Sequence, residues 1–385
     1  MARRGRKLNL KLTVPPVSGT RTTRPTRLAP PGERCHPPPP VATSLELFAI
    51  QPRVTLDDYA SPETFAAHHR ALAARVDALR ARDASGRPLH PALAVWPEMV
   101  GAALGLMGHL PRVRRCKTTN GAMTRVALAE WWALFQTWRA FRPPSMEECL
   151  YATVAPRVHR ALFETFSGIA RDYGLWVVAG SALLPSNRLG IDTPEYAPAL
   201  ARTFNTSYTF APDGHCVGVT RKVNLVPTQE DVLNLSPGRP EDLPVVDTPF
   251  GKLGTLICYD GFREPHTSHE PWFVPCAQYL DALGVDVLAQ PSANAWAWDA
   301  PWAFNAPGES QLRREQWFNE GLFTQLRTLK RVRYAVNPQL TGGFFENTFE
   351  APSLILERRG PDDVHVLAQS EDPRGEDVLH VTVPR

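Results

Sequence analysis

Four side chains in this 385-residue sequence combine types that together could carry out acyl transfer: Glu98, Lys222, Glu230 and Cys258. Cys258 lies in Gly254-Thr-Leu-Ile-Cys258-Tyr-Asp-Gly261, an apolar run of strand character that delivers a thiol to a turn marked by Asp260 and Gly261. A strand end where the backbone bends sharply presents its side chain to whatever binds there. A cysteine in an apolar run is by itself commonly one more small buried hydrophobe, so its partners decide the reading. A thiol becomes a strong nucleophile once it loses its proton, and an ammonium such as Lys222 stabilises the thiolate. The same ammonium can hold the oxyanion of a tetrahedral intermediate, together with a backbone N–H after the nucleophile. A carboxylate such as Glu98 can take the thiol proton and return it to a leaving amine. Cys, Lys and Glu thus supply what acyl transfer from an amide or nitrile requires.

The surrounding sequence predicts elements that bring these residues to strand ends. Residues 44–52 read as an apolar strand. Ser61-Pro62-Glu63 then starts a helix in which Phe65, His69, Leu72, Val76 and Leu79 recur at helical spacing. Residues 92–95 read as a second buried strand, and Trp96-Pro97-Glu98 sets a carboxylate at its exit. Residues 99–170 read as mostly helical and longer than a simple crossover needs, a stretch expected to shape or cover a pocket. Within it Trp131, Phe135, Trp138 and Phe141 fall near one helical face, which reads as packing, and a separate amphipathic helix is expected over residues 156–173. Strands follow at 175–180 and 204–210, the second turning through Pro212-Asp213-Gly214 into 217–220 and then Arg221-Lys222. After a strand at 243–246, a Gly251-Lys252 turn leads into the Cys258 strand. A helix at 272–283, a strand at 285–289, a helix at 311–330 and strands at 331–336, 349–357 and 377–383 complete the chain. The last of these is expected to close an edge or reach a neighbouring subunit. Helices alternating with strands and hairpins indicate a layered α/β protein.

Composition narrows the function classes. With 43% hydrophobic residues, ten tryptophans and seventeen phenylalanines, the chain can fill a sizeable core. No apolar run approaches the roughly 18–20 residues of a membrane span, so a soluble protein is expected. The net charge of +3 is uneven: residues 1–41 hold nine Lys/Arg and one acid, which leaves −5 on the remainder. That distribution removes the main support for a nucleic-acid-binding domain. Residues 1–42 are expected to be a disordered basic, Pro-rich tail, and residues 43–385 a single domain. Arg3-Arg4 is not followed by the hydrophobic stretch of an export signal. The six cysteines (35, 116, 149, 216, 258 and 276) are scattered, which indicates neither a disulfide framework nor a zinc site and fits a reducing, cytoplasmic setting. His266 and His269 read as surface residues rather than ligands, and no metal or cofactor is expected.

Three segments in order, Val95-Trp-Pro-Glu98, Arg221-Lys222-Val-Asn-Leu-Val-Pro227 and Leu256-Ile-Cys258-Tyr-Asp260, resemble the signatures of the nitrilase superfamily of carbon–nitrogen hydrolases. Each alone is weak, but together and in these strand contexts they are specific. The resemblance spans about residues 44–357 and implies a four-layer α-β-β-α sandwich with its active site at one end. It implies Cys258 as nucleophile, Glu98 as general acid/base and Lys222 as the cationic group. Glu230 would help hold the lysine and the substrate, and the Tyr259 backbone N–H would be the second oxyanion donor. It also implies a homodimer or higher homo-oligomer. The Trp-Pro-Glu98 and Lys222 to Glu230 segments further resemble the catalytic domain of apolipoprotein N-acyltransferases. Ser292-Ala-Asn-Ala-Trp296 is similar to a substrate-side loop there, which makes Asn294 and Trp296 pocket candidates. Members of the superfamily usually carry Arg-x-x-Glu before the last core strand, whereas this chain has Arg327-Thr-Leu-Lys330, so the anchoring of that segment is open.

The expected activity is hydrolysis of a non-peptide carbon–nitrogen bond in a small amide, nitrile or N-carbamoyl compound through a cysteine thioester. An N-acyltransferase using the same acyl-enzyme, or a catalytically silent protein of this fold, are the alternatives. Tryptophans 131, 132, 138, 296, 298 and 302 hint at an apolar or aromatic pocket, although core packing accounts for most of them equally well.

Overall fold

The alternating apolar runs assemble into two mixed β-sheets packed face to face. The computed structural model describes residues 44–230 and 233–385; the tail expected over residues 1–42 lies outside the described residues. In the Ser44–Gln51 strand, Leu45, Leu47 and Ala49 point between the sheets and, with Leu93, Val95 and Val178, meet Leu253, Val287, Val336 and Ile355 of the second sheet. The two-residue period of a strand sends Phe48 and Ile50 to the opposite face. There they join Trp96 and Val177 under the Pro62–Leu79 and Met146–Tyr173 helices, against Phe65, Leu72, Leu162 and Phe166. On the outer face of the second sheet, Leu288, Ala335 and Leu356 pack against Leu280 and Leu326 of the Cys276–Ala282 and Leu322–Leu326 helices. The layers run helix, sheet, sheet, helix, the four-layer sandwich that the family resemblance implies.

The first sheet has the spatial order Asp377–Pro384, Ser44–Gln51, Ala92–Trp96, Trp176–Ala179, Pro198–Phe210, Ala182–Asn187, with Cys216–Arg221 paired to Pro198–Phe210. The second runs Asp363–Gln369, Leu354–Gly360, Tyr334–Asn337, Val287–Ala289, Gly251–Thr255, Val245–Thr248. Ser44–Gln51, Ala92–Trp96 and Trp176–Ala179 are parallel, as are Gly251–Thr255, Val287–Ala289 and Tyr334–Asn337. Parallel strands gather their C-terminal ends on one side, where α/β sheets place their ligands. Glu98 follows one such end and Cys258 another, from opposite sheets.

Several elements differ from the sequence reading. The helix expected to begin at residue 156 starts at Met146, where the Ser145 side chain accepts the Glu148 N–H, and runs through Pro156 to Tyr173. An interior proline costs about 3 kcal/mol. Burial of the Leu150, Val154, Val158, Leu162 and Phe166 face, at roughly 1.5–3 kcal/mol per large side chain, more than offsets it. The helix expected over 311–330 is two short ones, Arg313–Glu320 and Leu322–Leu326, broken at Gly321. The helix expected from residue 272 begins at Cys276. Ala182–Asn187 is an additional strand where a loop is expected. The final strand pairs antiparallel with Ser44–Gln51 and closes that edge. Around Lys330 the backbone is anchored by Asp281, whose carboxylate accepts the N–H groups of Lys330, Arg331 and Val332, while Lys330 itself is exposed. Among the described residues no helix is long and apolar enough to cross a membrane.

Candidate active site

Where the Gly251–Thr255 strand ends, the chain enters a single 3-10 turn, Cys258–Gly261, and Cys258 adopts φ 48°. A non-glycine residue in this left-handed region is strained and persists only where its surroundings hold it. Here the Cys258 N–H donates to the Pro291 carbonyl at 2.8 Å, and its own carbonyl accepts from Gln290 Nε2 at 2.6 Å. Gly261 is required beside them, because a Cβ there would stand 2.2 Å from Gln290 Nε2. Asp260 does more than mark a bend: its carboxylate accepts the N–H groups of Ile257, Val223 and Asn224. It thereby ties the Cys258 turn to the residues just after Lys222.

Behind the sulfur lies a closed hydrogen-bonded group. Lys222 Nζ donates to Glu98 Oε1 at 2.8 Å and pairs with Glu230 Oε2 at 2.5 Å. Asn205 Nδ2 donates to both carboxylates, at 2.8 Å to Glu98 Oε1 and 2.9 Å to Glu230 Oε1. Glu98 Oε2 also accepts the Ala293 N–H at 3.1 Å, and Glu230 Oε2 the Val226 N–H at 3.1 Å. All four side chains are buried. Burial favours a neutral amine at Lys222, but Glu230 and Glu98 outweigh it and hold the ammonium well above the ordinary lysine range. Burial pushes Glu98 up against the pull of Lys222. Burial, reinforced by the Glu98 charge and opposed by Lys222, pushes the Cys258 thiol up to about 12. Burial thus favours the neutral form of the thiol, with Glu98 beside it.

Glu98, Lys222, Glu230 and Cys258 all line one cavity of about 350 Å³. Much of its wall is apolar and comes from residues 99–170, including Met99, Leu106, Met123, Val126, Leu150 and Val154. Of the tryptophans considered above, Trp296 lines this cavity, Trp298 and Trp302 are buried, and Trp131, Trp132 and Trp138 are exposed to solvent. Asn294, expected in the pocket, instead braces it: Nδ2 donates to the Trp296 and Glu350 carbonyls, and Oδ1 accepts from Arg313 Nε at 2.9 Å. His266 is no surface residue, since its ring stacks on Tyr259 with centroids 4.0 Å apart and lines the cavity. Burial, then the Arg313 charge, keeps that imidazole neutral.

Two site residues escape the sequence reading. Asn205, on the Pro198–Phe210 strand, clamps the two glutamates; a polar residue in an alternating strand is its only local signal. Arg313 is 2% exposed and lines the cavity, and its guanidinium carbon lies 4.2 Å from the centroid of Trp302 and 4.9 Å from that of Trp296. Burial lowers its pKa to about 9 against the opposing influence of Cys258. Arg313 in turn favours the thiolate form of Cys258.

Residues 126–264 match the family model described as carbon-nitrogen hydrolase. Omega-amidase NIT2-A of Xenopus laevis is 32% identical over 137 residues, which are 34% of this chain and 41% of that protein. The chain thus spans less than half the length of this curated relative. Among solved structures, the carbon-nitrogen hydrolase from Helicobacter pylori G27 shares the fold with a TM-score of 0.53 at 15% identity, over 89% of this chain and 90% of that one. A mutant of the Nesterenkonia AN1 amidase from the nitrilase superfamily gives a TM-score of 0.52 at 17% identity, over 90% and 93% of the two chains. Residues 126–264 are thus similar to carbon–nitrogen hydrolases, and the chain as a whole shares its fold with these two structures.

Proposed function

We propose that the chain hydrolyses the carbon–nitrogen bond of a small amide through a thioester on Cys258. The observation that carries this reading is the convergence of Cys258, Glu98 and Lys222, from three separate strand ends, on one cavity. Glu98 takes the thiol proton as sulfur bonds to the carbonyl carbon. The resulting oxyanion is held by the Lys222 ammonium and by the Tyr259 N–H, which lies in the first turn of a helix where no intrahelical acceptor exists. Glu98 returns the proton to the nitrogen, the carbon–nitrogen bond breaks and the amine or ammonia leaves. Water then gives a proton to Glu98 and attacks the thioester, the carbon–sulfur bond breaks, and the acid departs as sulfur regains its proton. Glu230 and Asn205 keep Lys222 and Glu98 in position and exchange no proton in this scheme. The apolar wall favours substrates with an apolar acyl or amine group. Ammonia release from a panel of amides, nitriles and N-carbamoyl compounds tests the reading: turnover is expected for at least one amide and lost in Cys258→Ala, and turnover that survives in that variant overturns it.

A further inference from the structure

The insertion that walls the cavity also carries a surface that neither the fold nor the chemistry uses. Of the eleven residues in the Trp131–Phe141 helix, Leu134 is the buried one. Trp131, Trp132, Phe135 and Trp138 are 63%, 55%, 46% and 40% exposed. Their rings form a continuous strip, with centroids 5.5, 5.7 and 6.2 Å apart in succession, ending under the Arg142 guanidinium 4.0 Å from the Trp138 ring. Leu128 before the helix and Met146 after it are exposed as well. Monomeric proteins seldom leave so large a contiguous apolar patch in water without a partner for it.

Charge identifies the partner. Residues 99–145 contain seven Lys/Arg and a single acid, Glu130, and Glu130 is already held by His109 and Arg157. Arg114 pairs with Asp57. Arg112, Arg115, Lys117, Arg125, Arg139 and Arg142 are exposed, with no ion-pair partner among the described residues. This segment is +6, although residues 42–385 as a whole are −5. A second copy is a poor occupant, because a two-fold interface would bring the same cationic surface against itself. An aromatic strip that ends under Arg142, on a segment rich in exposed cations, suits a lipid–water interface, where tryptophan is favoured and anionic headgroups attract the cations. At about 1.5 Å per residue the helix is far too short to span a bilayer, so it would lie in the interface plane.

We propose that the Trp131–Phe141 helix docks this protein on an anionic lipid surface. The preceding Thr119–Ala129 helix contributes Met123 and Val126 to the cavity wall, so the docked element and the cavity belong to one insertion. Docking does not depend on the amide reading of Cys258.

The test is flotation of the full chain with vesicles of equimolar phosphatidylcholine and phosphatidylglycerol, and with phosphatidylcholine alone. Tryptophan emission and oligomeric state are followed in parallel. Binding to the anionic vesicles, a blue shift, weakening with added salt and little binding to phosphatidylcholine are expected. Trp132→Ser/Trp138→Ser and Arg139→Glu/Arg142→Glu should each weaken binding at least about tenfold, while Cys258 alkylates at the wild-type rate as evidence of an intact fold. All variants keep the basic residues 1–41, so binding that survives in both assigns the attraction to that segment and overturns the proposal. Failure of the wild type to bind also overturns it, as does a wild-type oligomer that the tryptophan variant dissolves, which would make the strip a protein interface.

Discussion

Replacing Lys222 with Met removes the one cation between two buried glutamates and leaves their carboxylates facing each other. The oxygens that share Asn205 Nδ2, at 2.8 and 2.9 Å from it, would stand on the order of 5 Å apart. At an effective dielectric of about 20, two unit charges at that distance repel by about 3 kcal/mol, equivalent to roughly two pKa units. Glu98 is already raised by burial, so the pair relieves the repulsion by taking up a proton near neutral pH. The variant thereby loses the proposed general base as well as its ammonium. Each loss costs about 10²–10³-fold in rate, giving a combined fall of about 10⁴-fold or more. Breaking a buried pair costs about 3–5 kcal/mol of stability, an upper bound here because proton uptake removes the orphaned charge. The assay is the rate of Cys258 alkylation by a neutral electrophile as a function of pH, read by intact mass, with Lys222→Arg as the charge-retaining control. Lys222→Met should react far more slowly near neutrality and recover only at alkaline pH, with its profile displaced upward by about two pH units. An unchanged rate and profile in a folded Lys222→Met protein would refute the claim that this lysine controls both the carboxylate and the sulfur.

Three other predictions follow from the same structure. Gly261→Ala forces a Cβ to within 2.2 Å of Gln290 Nε2 and should cost about 1–3 kcal/mol, seen as a lower Tm. It should also slow Cys258 alkylation, because Gln290 fixes the Cys258 carbonyl. Arg313→Met keeps side-chain bulk but removes a charge that favours the thiolate; alkylation should slow about tenfold near neutral pH, as expected for roughly one pKa unit. His68 lies 3.3 Å from Asp58 and 2.8 Å from Glu376, and hydrogen bonds to Asp58 and then Glu376 raise its pKa from 6.5 to about 9 against burial. A raised folded-state pKa gives stability that is fully present below the unfolded value and is lost as pH rises through the folded one. The wild-type Tm should therefore decline between pH 6.5 and about 9 in a way that His68→Gln does not.

The proposed reacting groups are legible because each stands at a strand exit, at Pro-Glu98, Arg-Lys222 or Cys258, inside a segment that resembles a signature of the superfamily, and the three segments occur in order. Residues whose role depends on distant packing are not. Arg313 sits in a polar stretch read simply as part of a helix, and the rings of Trp296 and Trp302 from an earlier loop, with those of Trp317 and Phe262, enclose it. His266 follows Arg263-Glu-Pro, a run typical of an exposed loop, but stacking on Tyr259 draws it inward. The likeness of its loop points to Asn294 as a pocket residue, whereas its amide is engaged by Trp296, Glu350 and Arg313. The tryptophan helix shows the limit of periodicity itself: a 3.6-residue pattern marks an apolar face but does not say whether that face turns toward the core or away from it. In this chain Leu134 packs inward and the aromatic strip faces solvent.

The most direct test of the proposed mechanism is intact-mass analysis of enzyme quenched during turnover of an amide, with peptide mapping of any adduct. The account predicts a mass increase equal to the acyl group, located on Cys258, discharged by hydroxylamine and absent from Cys258→Ser. Amide turnover with no acyl-enzyme under any quench, or with the acyl group on another residue, would contradict it.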